Sequence, residues 1–261
     1  MKLRATSRGQ TKARSHLKLE LAARSSQPEA LMNRAFPILG ILTALLLSYA
    51  LHLALVVAPT EQTMGDVQRI FYYHVPSAWT AFVLFTINFV ASLVYLARRK
   101  PAADIVALVS AEVGVVFCTI VLVTGPIWAR PVWGIWWTWD KRLTSTLVLW
   151  LIYVSYLVLR RFSASGETPL LAAALSIFGA LCVPFVYFSI WFFRTQHPQP
   201  VIGGGGSIDP RMLHVLLINW LAFSCFAFLI CWSRYRLEKL QREVEQAQAM
   251  KSLTHSPRSA R

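Results

Sequence analysis

Six long apolar stretches run through the chain, separated by shorter polar segments. A helix rises about 1.5 Å per residue, so roughly 20 residues are needed to cross the roughly 30 Å hydrocarbon core of a bilayer. The apolar residues are continuous and do not alternate with polar ones, which favours helices over the strands of a membrane barrel. The predicted membrane-spanning helices cover residues 36–58, 77–97, 104–125, 143–160, 169–193 and 212–232.

The composition also indicates an all-α, polytopic membrane protein with six transmembrane helices. Hydrophobic residues make up 56% of the 261 residues and charged residues only 15%, whereas a typical soluble domain has about 25% charged residues. One acid, Glu112, lies well inside the third predicted helix. Ionisable residues within a membrane are candidates for function, because they are costly to keep there.

The placement of lysine and arginine predicts the orientation of the helices. Six crossings put both termini on one side of the membrane, and that side holds twenty of the 26 basic residues. Basic residues accumulate in cytoplasmic segments, so both termini are predicted to be cytoplasmic. The net charge of +14 therefore needs no nucleic acid to explain it, since anionic lipid supplies the counter-charge. The remaining basic residues face outside: Arg69, Arg130, Lys141, Arg142, Arg194 and Arg211.

The two ends of the chain differ in composition from the membrane domain. The basic, serine-rich amino-terminal segment is expected to be a disordered cytoplasmic tail, with a transit peptide or a true start at Met32 as alternatives. In the carboxy-terminal tail, Glu238 and Arg242 have the spacing of a helical ion pair. The predicted regions are a basic tail over 1–35, a six-helix membrane domain over 36–232 and a partly helical cytoplasmic tail over 233–261.

Two histidines stand at outer membrane boundaries in aromatic surroundings. His74 lies in "RIFYYHVPSAW" and His197 in "FFRTQHPQP", each close to a proline that stiffens the backbone. They are either interfacial histidines within a belt of aromatic residues or a pair of imidazole ligands from two separate loops. His52 and His214 fall in predicted helices, where a polar contact between helices is the expected role.

The segment "WGIWWTWDKR", residues 133–142, contains four tryptophans within seven positions. An aromatic belt needs only one or two indoles at each helix end. A helical segment would place a tryptophan shelf on one face, with Gly134 beside it allowing a flat ligand to approach closely. Haem fits such a shelf, with its propionates on Arg and Lys and its iron on imidazole. A quinone would also stack, but it needs no histidine pair. The residues on that face would be Trp133, Trp136, Trp137 and Asp140.

Asp140 has two possible roles in this arrangement. It precedes the fourth apolar stretch, where an acid caps the amino terminus of a helix. It is also followed directly by two cations and is placed to hold one cation where that cation meets a propionate. The candidate cations on this side of the membrane are Lys141, Arg142, Arg130, Arg194 and Arg211. The two roles are compatible.

The segment "WGIWWTWDKRLTS" resembles the signature of the tryptophan-rich family of haem-handling proteins in cytochrome c maturation. The length of the chain and the signature residues that follow Asp140 resemble those of the C-type branch, the haem exporter C family. Relatives of the F type are more than twice as long, and those of the other bacterial system usually carry "WDPKE". The stretches "RIFYYHVPSAW", "VTGPIWARPVWG" and "SIDPRM" are similar too, so the resemblance covers about residues 36–232. The matching signature residues are Trp133, Gly134, Trp136, Trp137, Trp139, Asp140, Arg142, Leu143, Thr144 and Ser145.

The resemblance implies a protein that holds haem b without a covalent bond and delivers it at the periplasmic face to a small membrane-anchored haem chaperone. His74 and His197 would be the axial ligands of the haem iron, and the signature, with Arg130, would form the haem and chaperone platform. Implied partners are the ATPase and membrane subunits of an ABC transporter and a small single-span subunit. The location would be the bacterial inner membrane, or the mitochondrial inner membrane as an alternative. This is the profile of a delivery component and not of a turnover enzyme.

Two other classes of function remain open on the sequence. A membrane redox protein would hold an electron-carrying haem between its helices, for which His52 is the only deep candidate. A solute transporter would use Glu112 within the membrane, but it gives the four tryptophans no role.

Overall fold

The structure, a computed structural model, describes residues 35–162, 168–193, 195–200 and 208–255. The predicted amino-terminal tail up to residue 34, together with Arg194, lies outside these residues. Within these residues, six helices are long and apolar enough to cross a membrane, as predicted. Their bounds are α1 Ala35–Val57, α2 Phe71–Arg98, α3 Pro101–Trp133, α4 Lys141–Phe162, α5 Thr168–Phe192 and α6 Pro210–His255.

The chain separates into two compact units, Met1–Leu46 and Leu47–Arg261. In the first unit the described residues, 35–46, are helical. The second unit contains α2 to α6 and all the residues of the site below.

Three predicted boundaries were wrong. α2 begins before residue 77, and a 3₁₀ turn, Asp66–Ile70, leads into it. The polar residues of this turn look like a loop by hydropathy, but Gln68 is buried and Arg69 Nη1 donates to the Ala54 carbonyl at 2.9 Å. The Arg69 side chain therefore bonds to the backbone of the protein, and Gln68 is packed inside it.

The other two differences lengthen α3 and α6. α3 continues through Pro126 and Pro131 to Trp133, since membrane helices tolerate proline where neighbouring groups satisfy the backbone. α6 passes the predicted end at 232 without a break. The predicted ion pair in this extension is confirmed, with Arg242 Nε 2.8 Å from Glu238 Oε1.

Aromatic and small residues make up the packed centre of the bundle. The rings of Phe85 and Tyr153 stack with centroids 3.8 Å apart. Gly114 permits this arrangement, because a Cβ there would lie 2.7 Å from the Phe85 ring. A buried amide, Asn88, donates from Nδ2 to the Ala107 carbonyl at 2.7 Å and so ties α2 to α3.

A buried ion-pair cluster and a second, half-exposed pair join α6 to α3 and α4 at the end of the bundle away from the tryptophan segment. The Asp104 carboxylate, 5% exposed, binds the guanidinium of Arg160, 8% exposed, and that of Arg242. Glu112 and Arg234 form a bidentate pair with both N–O distances at 2.9 Å. The charges of the predicted carboxy-terminal tail are thus packed against the bundle, which explains why α6 continues as one helix.

Candidate functional site

A cavity of about 840 Å³ opens between α2, α3, α4, α5 and α6 at the end of the bundle that carries the tryptophan segment. Its volume lies toward the upper end of the roughly 300–1,000 Å³ typical of small-molecule sites. The walls are mainly apolar and aromatic, and a few polar side chains reach them. Both His74 and His197 line this cavity.

His74 lies on α2 and not in a loop, a correction that follows from the early start of the helix. Its Nδ1 is 2.8 Å from the Thr124 hydroxyl of α3. That hydroxyl itself donates to the Ile120 carbonyl at 2.7 Å, so its oxygen is left to accept from the histidine. Nδ1 of His74 therefore carries the proton, and Nε2 keeps a free lone pair for a metal.

His197 lies in the segment between α5 and α6 and is half-buried. Its Nδ1 is 2.9 Å from the Pro198 carbonyl. A carbonyl only accepts, so Nδ1–H donates and Nε2 is again unprotonated. Burial, helped by the nearby Arg142 guanidinium, lowers the pKa of the His197 imidazole to about 3. The imidazole is therefore neutral at physiological pH, the state in which it ligates iron.

The two imidazole rings lie at a distance from one another that suits one metal ion between them. Their ring centroids are 6.5 Å apart, with an interplanar angle of 34°. Metal–imidazole bonds of about 2.0–2.1 Å on opposite sides of a single ion place the ring centres roughly 6–6.5 Å apart. In both tautomers Nε2 is unprotonated, so this pair of side chains fits a haem iron with two axial histidines.

The tryptophan segment forms a loop and not a helix, so the one-face shelf expected of a helical segment does not form. Gly134 adopts φ 78°, a left-handed conformation that ends α3 directly after Trp133. Residues 134–140 are irregular. Trp133 and Trp137 line the cavity, whereas Trp136 and Trp139 do not and are 59% and 74% exposed. The segment thus divides into an inner pair and an outer pair of indoles.

The predicted cations also differ in position. The Arg142 guanidinium lines the cavity and has only long contacts, 3.5 and 3.4 Å, to the carbonyls of Val186 and Tyr187. Among the described residues no carboxylate pairs with it. Arg130 is exposed, donates to the Gly134 carbonyl and does not line the cavity. Arg142 is therefore the side chain best placed for an anionic group.

Asp140 caps α4, as one of its two predicted roles required. Its Oδ1 accepts from the Leu143 N–H at 2.9 Å, and its carbonyl accepts from the Thr144 N–H at 3.0 Å. Its Oδ2 is buried and has no hydrogen bond within the described part of the chain. The carboxylate also acts electrostatically on Arg142. The cation-positioning role stays a prediction.

Several cavity residues were missed by the sequence reasoning. Trp128 and Trp133 meet edge to face with centroids 5.2 Å apart, and Trp79 and Trp220 do the same at 5.2 Å. The indole nitrogens of Trp137 and Trp220 are buried and have no acceptor among the described residues. Both residues line the cavity, so a ligand with acceptor groups is suited to satisfy them. Only their aromatic character was a signal in the sequence.

The remaining membrane histidines are away from the cavity. His52 on α1 and His214 on α6 are exposed and do not line it. Within the described residues neither side chain has a hydrogen bond to another helix, so the expected polar contacts are absent.

Comparisons with known proteins identify the family of this chain. A family model described as Heme exporter protein C matches residues 19–250. Heme exporter protein C of Bradyrhizobium diazoefficiens is 35% identical over 226 residues, covering 85% of this chain and 86% of the relative. A ccmC-like mitochondrial protein of cytochrome c biosynthesis from Arabidopsis thaliana is 34% identical over 209 residues, 78% of each chain. Heme exporter protein C of Escherichia coli K12 is 34% identical over 185 residues, covering 70% of this chain and 73% of the relative. The chain belongs to the heme exporter protein C family.

Proposed function

We propose that this protein holds haem b, without a covalent bond, between His74 and His197 and delivers it at the outer face of the membrane to a small membrane-anchored haem chaperone. Family membership implies haem handling in cytochrome c biogenesis by a multi-pass membrane protein. The observation that carries the finer proposal is the histidine pair, with rings 6.5 Å apart and both Nδ1 atoms already occupied. We further propose that an ABC-type ATPase and its membrane subunit, with a small single-span subunit, form the surrounding complex.

Charged and polar groups of the cavity support the proposed binding of haem. Arg142 lines the cavity with no carboxylate partner among the described residues, so a haem propionate would give it one. The indole N–H groups of Trp137 and Trp220 lack acceptors in the described structure. The flat macrocycle would contact Trp133 and Trp137. Asp140 would orient the segment through its cap on α4.

A transporter function loses its main support, since the Glu112 carboxylate is engaged by Arg234. A membrane redox protein would hold its haem between two imidazoles in the same way. A haem-transfer experiment distinguishes the delivery function from the redox function. When the haem-loaded protein is mixed with apo-chaperone, it should lose haem to the chaperone, and the chaperone should then test positive in a stain for covalently bound haem. Stable retention of haem, together with reduction by quinol, would support the redox function instead.

The division of the tryptophans gives a first prediction. Trp137→Ala should weaken haem binding roughly two- to tenfold, since an aromatic contact contributes about 0.5–1.5 kcal/mol. Trp136→Ala with Trp139→Ala should leave haem affinity unchanged and slow the transfer to the chaperone, because these indoles are exposed outside the cavity. Absorption titration measures the affinity and covalent haem staining measures the transfer. Equal effects of the inner and outer variants on affinity would contradict the division.

Thr124 gives a second prediction, because its hydroxyl oxygen fixes the tautomer of His74. Loss of such a partner of a metal-bound histidine typically lowers metal affinity about 10- to 100-fold. Thr124→Val should therefore weaken haem binding by about that factor, and Thr124→Ser should restore it. Thr86→Val is a matched control, since the Thr86 hydroxyl bonds only the Phe82 carbonyl of its own helix. Unchanged affinity in Thr124→Val would show that the tautomer is fixed by other means.

A further inference from the structure

The cavity reaches well into the membrane along α2 and α6. Its lining runs on α2 from Phe71 at least to Val83, and on α6 from Asp209 just before the helix to Trp220. Twelve residues of helix, as between Phe71 and Val83, correspond to about 18 Å along the axis. The residues that line this inner part are apolar, so the cavity extends along the bundle beyond the level of the two histidines.

Two lining residues belong at the same time to the lipid-facing surface. Val83 is 48% exposed and continues a stripe at helical spacing with Ile87 and Val90 on α2. Leu217 is 41% exposed and continues a similar stripe with Leu221 on α6. Since both residues also line the cavity, the cavity lining reaches the exposed apolar surface of α2 and of α6, two helices that contact each other through Trp79 and Trp220.

A pair of tryptophans joins α2 and α6 close to these two residues in sequence. Trp79 and Trp220 meet edge to face across α2 and α6, with centroids 5.2 Å apart and an interplanar angle of 76°. Val83 lies one turn beyond Trp79, and Leu217 lies one turn before Trp220. The contact is between two aromatic rings, with the Trp220 N–H unbonded within the described residues. A ring contact of this kind is weak enough, about 0.5–1.5 kcal/mol, to open on thermal motion.

We propose that the groove between α2 and α6 is a lateral portal, with Trp79 and Trp220 as its gate, through which haem enters the cavity from the hydrocarbon of the bilayer. This rests on the proposed function. The macrocycle is large, flat and apolar, and it partitions into lipid. An entrance lined by Val83 and Leu217 lets it move from lipid to the histidines without crossing water. The anionic propionates would arrive at Arg142, which lines the same cavity.

Bulky substitutions at the rim test the portal. The purified protein is reconstituted into vesicles of phosphatidylethanolamine and phosphatidylglycerol that already contain hemin, and growth of the bis-histidine absorption band is followed in time. Val83→Trp and Leu217→Trp should slow uptake at least about fivefold and reach the wild-type final amplitude. Both positions are exposed, so the larger side chain has room. Ile87→Trp and Leu221→Trp are matched controls on the same stripes, outside the cavity lining, and should keep the wild-type rate.

The outcomes separate the portal from the site itself. Equal rates for all four variants, with a normal final bis-histidine spectrum, would overturn the portal and leave the proposed haem site standing. A wild-type protein that develops no bis-histidine spectrum even at equilibrium would overturn both. Slow uptake in the two rim variants alone supports the portal.

Discussion

His74→Ala and His197→Ala should each convert a six-coordinate, low-spin haem spectrum into that of a five-coordinate, high-spin haem, with weaker retention of haem during purification. Each change removes one of two imidazoles whose Nε2 atoms carry free lone pairs. Added imidazole should refill the vacated position and restore the low-spin spectrum. Absorption spectroscopy of the purified variants measures both effects.

The control for this experiment is a histidine of the same membrane domain outside the cavity. His52→Ala and His214→Ala should leave the spectrum unaltered, because neither residue lines the cavity. If both cavity variants keep the wild-type spectrum, the axial pair is assigned to the wrong residues.

Asp104→Ala should cause the largest loss of stability. Its carboxylate is 5% exposed and is bound by two guanidinium groups, those of Arg160 and Arg242. Removing one partner of a buried ion pair typically costs about 3–5 kcal/mol, because the remaining charge is left buried without compensation. The free energy of unfolding in a titration with sodium dodecyl sulfate should fall by about this amount.

An exposed ion pair is the matched control for Asp104. Asp66 pairs with Arg69 at 2.9 Å, but its side chain is largely exposed, and exposed pairs contribute little. Asp66→Ala should therefore leave the unfolding midpoint nearly unchanged. Equal losses for the two substitutions would mean that the Asp104 cluster is not a stabilising contact between α3, α4 and α6.

The sequence was sufficient to predict the number of helices, because each apolar stretch must exceed the thickness of the bilayer regardless of its neighbours. It failed at helix ends, where polar side chains bond to protein. Arg69 binds a carbonyl of α1, and Arg242 binds Asp104. A hydropathy pattern does not include such long-range contacts. The helix bounds predicted from it therefore ended α6 too early and began α2 too late.

The candidate site was predicted only in part, because some of its features also depend on contacts between distant residues. Both histidines stood out by residue type and setting, and the structure brings their rings together. The arrangement of the tryptophans depends on one backbone conformation, at Gly134, which sends Trp137 inward and leaves Trp136 exposed. Thr124 was not foreseen, because its role arises from a contact between residues fifty positions apart.

The most direct test of the central claim is a haem titration of the purified wild-type protein, followed by resonance Raman spectroscopy of the ferric and ferrous forms. The account predicts saturation at one haem per chain, a six-coordinate low-spin iron with two imidazole ligands, and release of intact haem b into acidic acetone. A five-coordinate or high-spin iron in the wild-type protein, or a low-spin spectrum that persists when His74 and His197 are both replaced, would contradict it.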